Sequence, residues 1–410
     1  MASLSTVWLF TMRFPFGKGE PFLENELPVL CAHFDKVMIV PLFAQGDRRT
    51  LPGNAEVVQV LRDPYAGASV MEVLRQGGTY LSCMSALALE APSPAMFRKR
   101  KAELRSRVRQ AMRRAADLER VLEENFDPSK ELLYSYWTVD WATVLALLKH
   151  RHPEWRMVSR VHGFDLFPER AKDGWIPFRS MHLEAMDRIH CVSQAGLDTM
   201  SLLHPAHKEK FHLARLGTED HGPGPWTPSS ALRLVSCSNL VPLKRVDLLV
   251  EALMRMQRPV QWTHFGDGPE RARLERRIAD LPANVQVELK GAVANTALMA
   301  WYRAHPVDLF VHLSASEGGI PVSIQEAVSF GIPVVACDAG GVREIVGPAT
   351  GRLLPLECGA DLLAGTLEEL GSTLAGDRER RKQVRAVWSE GFQAPVNFGH
   401  FCASLLQLMG

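Results

Sequence analysis

Short apolar runs alternate with helical periodicity along the whole chain, and that alternation limits the possible folds more than any other feature. Residues 7–12, 37–43, 132–136, 156–161 and 189–192 each have the length and apolar content of a strand buried on both faces. Longer patterned stretches separate them, which predicts a parallel α/β sheet, because parallel neighbours need crossover helices. From Ala231 the pattern restarts, with apolar runs at 232–237, 260–265, 285–289, 307–313 and 333–337. Between the halves, residues 217–230 read Gly-Thr-Glu-Asp-His-Gly-Pro-Gly-Pro-Trp-Thr-Pro-Ser-Ser, too dense in glycine and proline for a regular element. The expected organisation is therefore a first domain over 1–216, a linker over 217–230, a second domain over 231–392, and a helix-like tail over 393–410.

A chain of 410 residues is long enough for two such cores, and 46% hydrophobic residues exclude a disordered or fibrous protein. Lysine and arginine number 47 against 46 aspartate and glutamate, so no global field favours nucleic acid. The seven cysteines are scattered and never form Cys-x-x-Cys, which reads as reduced core thiols in a cytoplasmic protein. The N-terminal residues lack the cationic start and long apolar stretch of a secretory leader, so no secretion is expected. No window reaches the roughly 18 apolar residues of a membrane-spanning helix.

The most informative motif is 314–326, Ser-Ala-Ser-Glu-Gly-Gly-Ile-Pro-Val-Ser-Ile-Gln-Glu. It follows an apolar run, and Pro321 suits the first turn of the helix that Val322 continues. Backbone N–H groups of Gly318, Gly319 and Ile320 would then face an anion such as a diphosphate. Glu326, inside the helix, can accept hydrogen bonds from ribose hydroxyls, and Glu317, before the turn, can hold a sugar. The bland alternative is a glutamate placed only for the helix dipole. A second strand and glycine turn follow, Phe-Gly-Ile-Pro-Val-Val-Ala-Cys-Asp at 330–338 and Ala-Gly-Gly-Val-Arg-Glu-Ile-Val at 339–346. Together, residues 314–346 resemble the donor-binding core of glycosyltransferase family 4.

That resemblance implies the GT-B fold, two Rossmann-like doubly wound domains facing across a cleft, and transfer with retention, without a metal or other cofactor. The tail 393–410 would then cross back to the first domain, although the sequence equally allows it to stay with the second. At 236–250, Lys244 matches the family lysine that neutralises the donor diphosphate. The family arginine position, five residues earlier, holds the uncharged Asn239, and Arg245 is the candidate substitute. Gly266 and Gly268, in a turn after a strand, match the family's glycine turn near the nucleotide. Gly291 stands where the family positions the base. In the first half, Arg-Val-His-Gly-Phe-Asp at 160–165 is similar to an element of the bacterial polysaccharide-synthesis branch, with His162 and Asp165 as catalytic candidates beside Glu317. A histidine after a strand is otherwise most often structural. Near the N-terminus, Gly17 and Gly19 form a glycine loop able to approach the diphosphate. Glu20 and Glu24, one helical turn apart, either address acceptor hydroxyls or form a solvated face.

The usual family spacing puts seven residues between the two glutamates, whereas eight separate Glu317 from Glu326; a bulge at Gly318 and Gly319 would absorb the extra one. The dense basic stretch from Arg98 to Arg114 reads either as a solvated helix or as a site for anionic lipid at the inner face of the membrane. The expected activity is transfer from a UDP or GDP sugar to a glycan or lipid-linked saccharide in surface polysaccharide biosynthesis. Two alternatives remain: a GT-B sugar-nucleotide epimerase or hydrolase, and an inactive GT-B scaffold.

Overall fold

The computed structural model describes residues 5–17, 19–373 and 377–409. The chain divides into two compact units, Met1–Ala214 with Phe398–Gly410, and Arg215–Asn397. The first is built on β1 (Thr6–Thr11), β2 (Lys36–Pro41), β3 (Ala55–Val57), β4 (Glu131–Ser135), β5 (Met157–Val161), β6 (Arg188–Cys191) and β7 (Phe211–Leu213). They form one sheet in the order β3-β2-β1-β4-β5-β6-β7, and every pair is parallel. The second unit holds β8 (Leu232–Cys237), β9 (Val260–Phe265), β10 (Val285–Gly291), β11 (Leu309–His312), β12 (Val334–Cys337) and β13 (Gly351–Leu354). Its order is β10-β9-β8-β11-β12-β13, again all parallel.

Each sheet buries both faces, as the continuous apolar runs demand. Side chains alternate along β1, so Trp8 and Phe10 join one core while Val7 and Leu9 join the core on the opposite face. In β8, Leu232 and Leu234 pack on one side and Val235 on the other. The helix Pro94–Asn125 covers the first sheet through Leu104, Val108, Ala111, Met112, Ala115, Leu118 and Leu122, a stripe at three- and four-residue spacing. It starts where the Ser93 side chain accepts the Met96 N–H and Pro94 occupies the first turn.

Both sheets are doubly wound. Strand order reverses between β1 and β4 in the first and between β8 and β11 in the second, and a crevice opens outside the C-terminal strand ends at such a point. The glycine and carboxylate motifs singled out above follow the C-terminal ends of strands, whereas the basic stretch lies within the helix Pro94–Asn125.

The linker differs from expectation, whereas the tail follows the alternative that the resemblance implied. The segment read as a linker is packed onto the second unit: Trp388 Nε1 donates to Thr218 Oγ1 (2.8 Å), Arg385 pairs with Asp220 (2.6 Å), and the Gly224 N–H donates to the Phe330 carbonyl (2.9 Å). At Gly217 a Cβ would lie 2.5 Å from Ala394, so the chain passes there only because the residue has no side chain. The tail forms the helix Ala394–Met409, which from Phe398 onward belongs to the first unit. There Phe401 stacks under the fully buried Arg160 guanidinium (4.0 Å to the ring centre), which also pairs with the buried Glu26 at 2.5 Å. Among the described residues, no helix is long and apolar enough to cross a membrane.

Candidate functional site

In the second unit the loops after β8 and β11 meet at the switch point. The Ala315 N–H donates to the Leu243 carbonyl (2.9 Å), which holds the turn carrying Lys244 against the turn carrying Glu317. Lys244 Nζ donates to Glu317 Oε1, and His312 Nε2, at the end of β11, lies 2.9 Å from the same oxygen. Although burial opposes its charge, the His312 hydrogen bond and the Lys244 ammonium hold the Glu317 carboxyl at about 2. Burial depresses the His312 pKa, so the ring is neutral at pH 7 and offers Glu317 an N–H rather than a charge.

Nine residues further on, Glu326 lies in the helix Val322–Ser329 with Pro321 as its N-cap. Its side chain is buried, and Asn295 Nδ2 donates to Oε1 at 2.6 Å. Burial without a cation raises this carboxyl to about 7. The two motif carboxylates are therefore electrostatic opposites, one firmly ionised and one poised near neutrality.

The surrounding glycines are steric requirements. A Cβ on Gly266 (φ +133°) would lie 1.9 Å from the Ser238 carbonyl oxygen, and one on Gly268 would lie 2.4 Å from that of Leu240. These contacts clamp the loop after β9 onto the loop after β8. Gly291 ends β10 at φ +71°, beside Arg271 and Asp267. Gly318, Gly319 and Ile320 lie between Glu317 and Pro321, and the Ile320 carbonyl accepts from Gln325 Nε2 at 3.1 Å. Sequence reading singled out the glycine turn but not Gly340, whose Cβ would lie 1.9 Å from the Glu317 carbonyl oxygen.

Asn239 is exposed beside this site. Arg245 is anchored: its Nε donates to the Leu313 carbonyl and its Nη1 to the Leu356 carbonyl, both at 2.7 Å, while its buried Nη2 has no partner. That side chain ties the β8 turn to two other loops, and Lys244 is left as the cation at the carboxylate.

In the first unit the loops after β1, β4 and β5 converge. Glu20 organises them: Oε1 accepts from the Met12 N–H (2.9 Å) and Trp137 Nε1 (2.7 Å), and Oε2 from the N–H groups of Arg13 and Phe14 (both 2.8 Å). With four donors on two oxygens, Glu20 is a loop-holding residue rather than an open ligand for acceptor hydroxyls. Glu24 pairs with Arg49 at 3.2 Å, and the same guanidinium donates to the carbonyls of Gly17 (3.0 Å) and Gly19 (2.8 Å). Those bonds fold the glycine loop, which turns at Gly17 with φ +61°.

Asp165 is corrected in the same way. It is fully buried, and its oxygens accept from the N–H groups of His162 (2.8 Å), Gly163 (3.1 Å) and Thr138 (3.0 Å). Three backbone donors around one buried carboxylate make it a positioning residue, not an acid or base. His162 is different. Its ring sits 4.6 Å from that of Tyr136 and 4.4 Å from that of Trp137, and neither ring nitrogen has a hydrogen-bond partner. Burial lowers its pKa despite Asp165, whose Oδ2 lies 3.9 Å from Nδ1, which leaves a neutral imidazole with both nitrogens buried.

The residues that sequence reading passed over are His312, Asn295, Arg49 and Trp137. His312 carried one usable signal, a polar residue ending a buried strand five positions before Glu317. The other three act across long sequence separations.

Comparison with known proteins bears on the fold and on the second unit's domain. Residues 227–385, within the second unit, match the family model of glycosyl transferases group 1. A GDP-mannose-dependent alpha-mannosyltransferase of Mycolicibacterium smegmatis is 35% identical over 200 residues, 46% of this chain and 49% of that protein. A putative colanic acid biosynthesis glycosyltransferase of Escherichia coli, WcaL, is 27% identical over 210 residues, 49% of this chain and 52% of that protein. The chain thus spans about half the length of the curated relatives it matches. The crystal structure of Anabaena Alr3699/HepE in complex with UDP superposes with a TM-score of 0.67 at 18% identity, over 98% of this chain and 100% of the other. The two parallel sheets are of the GT-B class.

Proposed function

We propose that this chain is a retaining glycosyltransferase that moves a sugar from a UDP or GDP sugar to a glycan or lipid-linked saccharide in surface polysaccharide biosynthesis. The observation that carries the proposal is the Lys244–Glu317–His312 cluster at the β8/β11 switch point, with Glu326 and Asn295 behind it. Relatives that are a mannosyltransferase and a colanic acid glycosyltransferase support the same reading.

In this mechanism Lys244 exchanges its carboxylate partner for the donor diphosphate. Positive charge aimed at the leaving group stabilises the bond-breaking transition state more than the bound donor. Glu317, still held by His312, then accepts hydrogen bonds from the sugar, while Glu326 accepts from the ribose. The acceptor hydroxyl attacks the face from which the diphosphate departs, and a phosphate oxygen takes its proton, giving retention without a metal. His162, on the first unit, is the candidate there for a hydrogen bond to the acceptor.

Contact with an anionic membrane is the finer part of this proposal, and the helix Pro94–Asn125 narrows it. Arg100 and Arg114 are buried, Arg107 stacks on Phe178, Arg109 bonds the Ala68 carbonyl, and Arg113 pairs with Glu72. Beside the exposed Arg98 and the Asp173-paired Lys99, Lys101 and Arg105 are exposed one turn apart. Charge reversal at both should abolish co-flotation with phosphatidylserine vesicles, at about 1 kcal/mol per cation. Flotation that survives it would remove this surface from the proposal.

Thermal unfolding with UDP, GDP, ADP and their sugars tests the core of the reading. A nucleotide at about 100 times its dissociation constant should stabilise the protein by roughly 2.7 kcal/mol. Product analysis with the selected sugar then separates transfer from epimerisation or hydrolysis. If no nucleotide binds the folded protein, it acts as a scaffold.

A further inference from the structure

Beside the donor loops, two of the seven thiols meet. Cys337 ends β12, Cys358 lies in the turn after β13, and their Sγ atoms are 3.3 Å apart with both side chains buried. Neither belongs to a Cys-x-x-Cys pair; tertiary structure alone juxtaposes them. A disulfide bond is about 2.05 Å long, so its formation asks the sulfurs to close by little more than about 1 Å. Cys358 also lines a cavity of about 290 Å³ with Leu240, Val241, Pro242 and Arg245, on the side from which a reagent would approach. Hydrogen bonding from the Cys337 thiol and the nearby Arg245 guanidinium push the Cys358 thiol down, while Cys337 is pushed up. The pair therefore has one ready nucleophile and one resolving thiol.

We propose that Cys337 and Cys358 form a redox modification site, a dithiol that closes to an intramolecular disulfide when it meets a low-molecular-weight organic disulfide. The Cys358 thiolate attacks one sulfur of the reagent; a protein–reagent S–S bond forms, the reagent's own S–S bond breaks, and one thiolate leaves. Cys337 then loses its proton to solvent and attacks Cys358 Sγ, expelling the second thiolate. The two protein thiols give up two electrons, and the organic disulfide is reduced to two thiols. Closure pulls on the 355–358 turn, whose Leu356 carbonyl holds Arg245 beside Lys244. Under the donor-site reading above, the oxidised form binds nucleotide more weakly than the reduced form.

The test is native incubation of the full chain with oxidised glutathione, followed by alkylation, digestion and mass spectrometry. A linked Cys337–Cys358 peptide that dithiothreitol removes is the expected result. Cys337→Ser should trap glutathione on Cys358, and Cys358→Ser should leave Cys337 unmodified. Absence of the linked peptide while the half-buried Cys31 is glutathionylated would overturn the proposal, as would a Cys337→Ser protein whose Cys358 stays free. These readouts do not depend on nucleotide binding. A reduced protein that binds no nucleotide therefore counts against the donor-site reading and not against the dithiol.

Discussion

Glu317 and Glu326 are the same residue type in one motif, yet their surroundings give them opposite protonation behaviour. Glu317 has a cation and an N–H on one oxygen; Glu326 has one amide donor in an apolar helix packing. Removing the cation with Lys244→Ala should lower kcat/KM by about 10²–10³, the usual effect of deleting one leaving-group stabiliser. Steady-state kinetics with the identified donor check this, and near-wild-type turnover would remove Lys244 from the mechanism. Glu326 makes a pH prediction with the reverse sign from a salt-bridged carboxylate. Its pKa is raised on folding from 4.5 to about 7, so the folded state binds the proton more tightly and stability falls as pH rises across that window. Glu326→Gln should abolish the trend and be the more stable protein at pH 8, by at most about 3 kcal/mol. Parallel denaturation profiles for both proteins from pH 5 to 8 would refute it. At this scale the motif residues were legible in sequence, but their roles were not. Glu20 and Asp165 look like free acids in a string of letters, and only their four and three donors reveal them as loop holders.

At the scale of elements, periodicity was enough to find the long strands and the long covering helix, because burial on both faces writes continuous apolar runs. It missed β3, β7 and β13, which are three or four residues long and lie at or beside sheet edges. Such strands exist through pairing with a neighbour, not through a run of their own. The tail was readable as a helix from its spacing, and its return to the first unit only from the family resemblance, since nothing in its spacing names Arg160 as its partner. Phe401 lies 4.0 Å below that guanidinium and is buried. Phe401→Ala should therefore cost about 3–5 kcal/mol, with Phe401→Leu recovering the packing but not the cation–π contact. Urea unfolding of the two variants measures both terms, and an unchanged midpoint for Phe401→Ala would mean that the helix end does not anchor the unit.

For the molecule as a whole, the two units give different accounts of ligand binding. The carboxylates, Lys244 and the clamped glycine turns all lie in Arg215–Asn397, while His162 and the Glu20 loop lie in the other unit. Hydrogen exchange with UDP or GDP should slow at 238–245, 266–268 and 313–322 and leave 12–22 unchanged. Protection confined to 12–22 would place the nucleotide on the wrong unit. The sequence by itself determined that there are two doubly wound parallel units and which loops carry the motifs, because strand burial and glycine turns are local demands that each segment must meet. Only the tertiary structure decided that Arg245 is occupied by carbonyls, that residues 217–230 are packed on the second unit, and that Cys337 meets Cys358. Those facts depend on which distant groups share a dielectric and a hydrogen-bond partner, and linear spacing holds no information about either.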